Sequence, residues 1–347
     1  MQPNLFRRAG LLAVCIVVIT AIAWEKHLRN DDLVISYDDN EALWANKRAM
    51  VYEPSDKAVV FAGSSRIKYD LDIPTWNELT GTRAIQLANV GSNPLPVVED
   101  LANDPNFKGR LVVDVVEGIF FSPPGGPNDA LTAKKIKYFH NITPTQRFSF
   151  QVNHVLESRF MFLDEDYYSF NAMVDNARLL PPRPGVFPGL YFPIEFTQET
   201  FERQSFLSPK FLVDTNLQNQ VTYIWSCLAK RLMGAKITSG AVDTVLVYVK
   251  GLTDKIKARG GEVLFVRPPS SGPVRAGEAK AFPKGEFWDR LISYTGCPGV
   301  YYADYPAIAN LVCPEWSHLG GSDVKLFTTT LVKAIEEKGW KFEKKSM

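Results

Sequence analysis

The chain has 347 residues, enough for one large domain or two smaller ones with an ample core. Its 39 basic and 38 acidic residues nearly cancel, and no dense basic run occurs, so we expect no nucleic-acid partner. The four histidines are scattered and no Cys-x-x-Cys pair is present. We therefore expect neither a metal site nor another cofactor.

The N-terminus carries an apolar segment. Arg7 and Arg8 precede an uncharged run from Ala9 to Trp24, somewhat shorter than the roughly 20 residues that span a bilayer. We predict that residues 1–30 form a membrane anchor. A cleaved signal, for which Ala21–Ala23 offers a small-x-small pattern, and a buried helix are the alternatives. The basic flank predicts a cytoplasmic N-terminus and an exported body.

The next part of the chain alternates between strands and helices. Apolar runs predict strands at Ala58–Ala62, Ala84–Ala88 and Leu111–Val116, separated by helices at Thr75–Leu79 and Leu95–Ala102. Strands separated by crossover helices are typical of a parallel sheet.

Residues 122–240 break this rhythm. They are rich in aromatic residues and prolines, with helical patterns at Gln151–Leu163 and Asn216–Met233. The alternation then resumes with the helices Val242–Ala258 and Asp323–Lys338 and the strands Glu262–Val266 and Val300–Ala303. We predict one α/β domain over residues 31–347, with an insertion at about 122–240. We expect the insertion to cap the C-terminal edge of the sheet, where ligands of such folds bind.

A serine lies just past the first predicted strand, in the sequence Gly63-Ser64-Ser65-Arg66. Ile67 occupies the position at which a Gly-x-Ser-x-Gly nucleophile elbow has glycine, which disfavours an α/β-hydrolase. Ser65 is the candidate nucleophile. The alternatives are that Ser65 only caps a helix, or that Ser64 is the working serine.

A histidine follows an acid near the C-terminus, in the sequence Glu315-Trp316-Ser317-His318. Together with Ser65 these residues supply the nucleophile, base and acid of acyl transfer. For His318 the alternative is a structural histidine, and for Glu315 a solvated loop acid.

With these motifs the chain resembles the SGNH/GDSL hydrolase superfamily. Membrane-anchored members with a Gly-Ser-Ser-Arg start and a Ser-His-Leu finish are the most similar. The resemblance covers the α/β core but not the insertion. It implies a flavodoxin-like, three-layer fold around a parallel sheet, with Ser65 as nucleophile, His318 as base and Glu315, in place of the family's Asp, as acid.

The resemblance also implies an oxyanion hole. The sequence Asn89-Val90-Gly91 is similar to the family's second motif, whose glycine donates to the oxyanion together with the nucleophile's own amide. The third motif, Gly-x-Asn-Asp, is absent, because the third strand runs into Val115–Gly118. Asn93 is the candidate substitute.

Three further residues are candidates for binding substrate. Arg66 could hold an anionic group, with a salt bridge as the alternative. Arg267 ends a strand on the same sheet edge. Trp316 could stack on a sugar or pack in the core.

These features predict an exported, membrane-tethered serine esterase or O-acyltransferase. The resemblance points to O-acetyl or other acyl groups of a cell-surface polysaccharide as substrate, and to a membrane-bound acyltransferase as a partner. The catalytic domain would lie on the periplasmic or extracytoplasmic side of the inner (plasma) membrane. The alternative is a catalytically silent member that binds a glycan or acyl chain, or that scaffolds such an acyltransferase.

Export also bears on the cysteines. Cys297 and Cys313 flank a short segment that leads into the histidine motif. In an oxidising compartment we expect them to be bridged, with two unrelated core cysteines as the alternative.

Overall fold

The computed structural model describes residues 3–30, 35–123, 125–164, 174, 192–232 and 237–342. Contacts divide the chain into two compact units, Met1–Asp38 with Thr143–Gly189, and Asp39–Ile142 with Leu190–Met347. Part of the predicted insertion thus groups with the N-terminal segment. Residues 124, 165–173, 175–191 and 233–236 of that insertion lie outside the described residues.

Within the described ranges the helices are α1 (Pro3–Arg29), α2 (Glu41–Arg48), α3 (Ser65–Asp70), α4 (Ile73–Thr80), α5 (Leu95–Asn103), α6 (Glu117–Phe120), α7 (Ala130–Asn141), α8 (Pro144–Glu157), α9 (Pro209–Val213), α10 (Thr215–Leu232), α11 (Ser239–Ala258), α12 (Gly272–Ala281), α13 (Trp288–Thr295), α14 (Pro306–Ala309) and α15 (Ser322–Glu337). The strands are β1 (Ala58–Ala62), β2 (Arg83–Gln86), β3 (Arg110–Asp114), β4 (Thr197–Glu199), β5 (Ser205–Leu207), β6 (Glu262–Arg267) and β7 (Gly299–Tyr301).

The first unit contains α1, which is long and apolar enough to cross a membrane. Its most apolar stretch has a mean hydropathy of 2.1 and is not buried at all. The helix begins before Arg7 and continues past Trp24 to Arg29, so it is longer than the uncharged run that predicted it. Length and composition agree equally with an anchor and with a signal segment.

The second unit is built on a five-stranded parallel sheet in the order β2-β1-β3-β6-β7. Val60 of β1 lies opposite Ile85 of β2 on one side and Leu111 of β3 on the other. The predicted parallel sheet and all five of its predicted strands are confirmed. The chain reverses its direction of progress across the sheet between β1 and β3, the position at which such sheets open a crevice for ligands.

The sheet is covered by apolar side chains on both faces. Along β1, Val59 and Phe61 belong to one core cluster, while Val60 and Ala62 belong to the other. Helices α5, α11 and α13 contribute to the cluster around Val60, and α4 and α15 to the cluster around Phe61. Burial on both faces explains why the strands are almost continuously apolar.

The described part of the insertion after residue 192 packs on the domain core. Strands β4 and β5 pair antiparallel. A third apolar cluster joins this hairpin, α9 and α10 to a side chain of α3, and its buried members are Tyr69, Phe196, Leu207, Phe211 and Val221. The insertion therefore reaches the short helix that follows β1.

One predicted helix begins at the wrong place. We predicted a helix at Gln151–Leu163, but α8 begins at Pro144 and ends at Glu157. A capping box sets this start. The side chain of Thr143 accepts a hydrogen bond from the backbone N–H of Gln146, and the side chain of Gln146 accepts one from the backbone N–H of Thr143. The other helix predicted in the insertion is confirmed as α10, although its last predicted residue, Met233, lies outside the described residues.

The predicted disulfide is wrong. Cys297 and Cys313 are both free. Cys297 belongs to the core cluster on one face of the sheet and Cys313 to the cluster on the other. Their closeness in sequence could not reveal this, because β7 runs between them and divides the two faces. Burial raises the pKa of the Cys313 thiol, so this side chain behaves as a small apolar residue.

Candidate active site

The turn after β1 is held by a carboxylate from β3. Both the backbone N–H and the hydroxyl of Ser64 donate to Oδ2 of Asp114, at 2.9 and 2.7 Å. A Cβ atom on Gly63 would lie 2.5 Å from Cβ of Asp114 and would also collide with Ile67. Only glycine allows α3 to begin directly at the end of β1.

This turn distinguishes the two serines. Ser64 is buried and occupies the N-cap position of α3, and its hydroxyl donates its hydrogen bond to Asp114. Ser65 is the first residue of the helix and remains partly exposed. Ser65 is therefore not the helix cap, and of the two hydroxyl groups it is the better placed to meet a substrate.

Glu315 is fully buried and receives several donors. Its Oε1 accepts from the backbone N of Ser317 at 3.2 Å and of His318 at 2.5 Å. Its Oε2 accepts from Nε1 of Trp225 on α10. Nδ1 of His318 lies 3.0 Å from Oε1, close enough for an ion pair but not aligned for a hydrogen bond. A carboxylate held by several N–H groups has its orientation fixed.

His318 is buried within aromatic side chains. Its ring stacks on Tyr69, with ring centroids 4.2 Å apart, and also lies near Phe196 and Trp225. Its Nε2 has no hydrogen-bond partner. Because buried polar atoms in proteins are nearly always paired, this orphan nitrogen is a feature that needs an explanation.

Tyr69 connects the histidine to the predicted nucleophile. It lies four residues after Ser65 on α3, so the two side chains share one face of the helix. The Tyr69 hydroxyl donates to Oγ1 of Thr197 at 2.8 Å, which fixes the ring. No hydrogen bond joins Ser65 to His318 among the described residues.

Two further carboxyl groups lie at the two ends of α3. Oδ1 of Asp70 accepts from the backbone N of Leu319 at 2.8 Å, which fastens the histidine loop to the helix. Burial raises the pKa of Asp70 well above its usual range, against the opposing effects of that N–H and of Arg66. Burial also raises the pKa of Asp114, although its hydrogen bonds from Ser64 work in the other direction.

The two candidate arginines belong to one buried ion network. Arg66 pairs with Glu278. Arg267 pairs with Glu278 at 2.7 Å and with Glu117 at 3.1 Å. The salt-bridge alternative for Arg66 is thus confirmed, whereas a substrate contact stays a prediction for both arginines. Such a contact would have to compete with Glu278.

The predicted oxyanion residues lie after β2. Gly91 is exposed, with a φ of 64° in the turn closed by the bond from Ser92 N to Asn89 O. Asn93 is buried, and its side chain accepts from Leu95 N at 2.9 Å and donates to Ser122 at 3.3 Å. The Asn93 side chain therefore stabilises its own loop through these two hydrogen bonds. That Gly91 and Asn93 stabilise an oxyanion stays a prediction.

Trp316 adopts a left-handed conformation with a φ of 77°, which is uncommon for a bulky residue. Its carbonyl accepts from Ser271 N at 2.9 Å, and its ring lies against Gly272, where a Cβ atom would be 2.9 Å from the indole. The backbone turn at Trp316 brings His318 back toward Glu315. Sugar stacking by its partly exposed ring stays a prediction.

A second charged cluster lies at the end of β2. The Asp39 carboxylate pairs with Arg203, Lys68 and Lys135. Arg203 also donates to the carbonyls of Gln86 and Ala88. Burial lowers the pKa of Lys135 to about 7. Because Lys68 belongs to α3, this cluster also holds that helix in place.

The described residues contain no group of three or more His, Cys, Asp or Glu side chains that could hold a metal ion.

Sequence reasoning missed several residues of this site. Trp225 and Phe196 come from the insertion, and nothing in their local sequence points to Glu315 or His318. Tyr69 could have been found only if α3 had been predicted as a helix that begins at Ser65. Asp114 could have been found from the sequence, since a carboxylate directly ends the apolar run of β3. Strand β3 adjoins the position at which the chain reverses its direction of progress across the sheet, where such folds bind ligands.

No protein-family model matches the chain, and no curated protein matches it.

The ion network makes the stability of the fold depend on pH. Burial alone would raise the pKa of Glu278, but Arg66 and Arg267 lower it to about 2, from an ordinary value of 4.5. A lowered folded-state pKa stabilises the protein above pH 4.5, and this stabilisation is lost as the pH falls toward 2. We expect Glu278→Gln to lower the free energy of unfolding at neutral pH by about 3 kcal/mol. The variant should then lose less stability than wild type on acidification.

Chemical denaturation in detergent micelles, followed by tryptophan fluorescence across this pH range, measures both effects. Glu286→Gln is the matched control, because Glu286 is exposed. Equal acid sensitivity of wild type and Glu278→Gln would contradict the assignment.

Proposed function

We propose that this protein is an exported, membrane-tethered serine esterase or O-acyltransferase with the three-layer arrangement of SGNH hydrolases. The observation that carries the proposal is the buried Glu315–His318 pair with its unpartnered Nε2. The imidazole ring that carries this nitrogen stacks on Tyr69, which belongs to the helix that Ser65 begins. A buried acid–base pair next to a partly exposed serine is what acyl transfer requires.

The mechanism assigns one role to each residue. Oγ of Ser65 attacks the ester carbonyl while Nε2 of His318 takes its proton. The C–O bond to the leaving alcohol then breaks, and His318 returns the proton to that alcohol. Water or an acceptor hydroxyl attacks the acyl-serine in the same way and releases Ser65. Glu315 orients the imidazole, and the amides of Ser65 and Gly91 would stabilise the oxyanion.

The mechanism needs a Ser65–His318 hydrogen bond that the free protein does not have. Catalytic hydrogen bonds are often long or misaligned before substrate binds. We propose that the partly exposed Ser65 side chain moves to form this bond when substrate binds. Because Tyr69, Glu315 and Trp225 hold the histidine, we expect the serine to move rather than the ring.

The substrate class is inferred from the surroundings and from the resemblance. Aromatic side chains around His318 favour an acyl or sugar group over a strongly charged one. The resemblance to membrane-anchored SGNH proteins suggests O-acetyl or other acyl groups of a cell-surface polysaccharide. Helix α1 would place the domain at the outer face of the inner membrane, where a membrane-bound acyltransferase could supply acyl groups.

A specific observation favours a second candidate function. His318 is almost completely buried and makes no hydrogen bond to Ser65. A catalytically silent protein that binds a glycan or acyl chain, or scaffolds an acyltransferase, would need no such bond. In that case the orphan nitrogen would serve only to bind a ligand.

The two candidates differ in the effect of removing the nucleophile or base. We expect Ser65→Ala and His318→Ala each to reduce hydrolysis of p-nitrophenyl acetate by roughly 10⁴-fold or more, and the double variant to be little worse. The reason is that the two side chains act in one proton transfer. Initial rates of the purified full chain in detergent measure this.

Ser239→Ala is the control, because Ser239 is exposed at the start of α11. Circular dichroism establishes that each variant is folded. Unchanged hydrolysis by folded Ser65→Ala would leave the silent candidate as the better account.

Trp225 should affect catalysis through Glu315. Trp225→Phe keeps an aromatic ring but removes the N–H that donates to Oε2 of Glu315. A hydrogen bond to a charged group contributes about 1.5–3 kcal/mol, so we expect kcat to fall roughly tenfold or more with little change in KM.

Steady-state kinetics on the same ester give both constants. Tyr223→Phe is the control, since Tyr223 lies on the same helix and is exposed. A rise in KM alone would show that Trp225 contacts substrate instead of positioning the acid.

A further inference from the structure

Helix α8 has an apolar stripe that nothing in the described chain covers. No side chain of the helix is buried. Phe148, Val152, Val155 and Leu156 recur at the spacing that places them on one helix face, and all are exposed, Phe148 by 72%. A capping box and Pro144 give the helix a well-defined start. A stable helix with an exposed apolar face needs something to cover that face.

A different face of α8 packs within its own unit. The ring of His154 lies between those of Tyr37 and Phe150, with centroids 6.0 and 6.2 Å away. Both His154 and Phe150 lie well round the helix from the stripe. The stripe is thus turned away from the contact that α8 makes inside its unit.

The segment after α8 is fastened to the end of the apolar part of α1. Nη2 of Arg29 donates to the carbonyl of Arg159 at 2.6 Å, and Oε2 of Glu25 accepts from the backbone N of Phe162 at 3.2 Å. Glu25 directly follows the apolar run that ends at Trp24. If α1 spans a bilayer, the C-terminal end of α8 therefore lies at the level where α1 leaves the hydrocarbon.

We propose that α8 is an interfacial membrane helix whose stripe of Phe148, Val152, Val155 and Leu156 lies in the lipid surface beside α1. An amphipathic helix in the interface buries its apolar face about 5–10 Å into the boundary between headgroups and acyl chains. Lipid is the occupant that the contacts with Glu25 and Arg29 favour, because they hold the C-terminal end of α8 at the depth of that boundary. Besides His154, the only ionisable residues of the helix are Arg147 and Glu157, so apolar burial and not net charge drives this contact.

Lipid-borne quenchers test the contact on the full chain. Val152→Cys and Asn153→Cys are prepared with Cys15 and Cys227 replaced by Ser, labelled with an environment-sensitive fluorophore and reconstituted into phosphatidylcholine vesicles. The two positions are neighbours in sequence but point about 100° apart around the helix. With a nitroxide near the headgroup end of the acyl chain, we expect roughly threefold stronger quenching at position 152 than at position 153.

The native Cys15, labelled with only Cys227 replaced, shows whether α1 lies in the bilayer, and it should be quenched best by a nitroxide deep in the acyl chain. Val155→Cys repeats the test if labelling position 152 disturbs the fold, as judged by circular dichroism. Quenching of Cys15 with equal or no quenching at positions 152 and 153 would overturn the proposal while leaving the anchor intact. Equal or no quenching at positions 152 and 153, together with no quenching of Cys15, would overturn both the proposal and the membrane anchor. A second copy or a soluble partner on the stripe would also leave position 152 unquenched.

Discussion

The candidate site depends on the burial of one carboxylate. Glu315 is completely removed from solvent, and its oxygens accept from backbone N–H groups of its own loop and from the indole of Trp225. A buried carboxylate that lost these donors would be strongly destabilising, so the loop, the left-handed turn at Trp316 and the position of α10 are fixed together. Helix α10 and the histidine loop are therefore fastened to each other through Glu315, and the position of His318 follows from this contact.

Around α3, too, buried charged side chains are stabilised by hydrogen-bond and ion-pair partners. Asp114 fixes the start of the helix through Ser64, and Asp70 fixes its end to the histidine loop. Arg66 and Arg267 share Glu278 beneath it. A helix of so few residues is not stable by itself, and these contacts hold it in place. The partly exposed Ser65 side chain thus lies on a rigid support, as a nucleophile requires.

The sequence predicted the parts of this protein that repeat a simple pattern. The parallel sheet followed from apolar runs separated by helices, and Glu315 and His318 were singled out as a pair because the acid precedes the histidine by three residues. The predicted disulfide was wrong because spacing along a chain does not reveal which face of a sheet a side chain occupies. Trp225 and Phe196 could not be predicted at all, because their role depends on how a distant insertion folds onto the histidine. Arg66 was ambiguous until Glu278 was seen beside it.

The proposed mechanism requires that His318 activates Ser65. Reaction of the full chain with a fluorophosphonate, followed by tandem mass spectrometry of its peptides, tests this most directly, because the reagent modifies only an activated serine. We expect a phosphonate on Ser65, absent from Ser64 and lost in folded His318→Ala. A folded wild-type protein that stays unmodified, or carries the label on another serine, would contradict it.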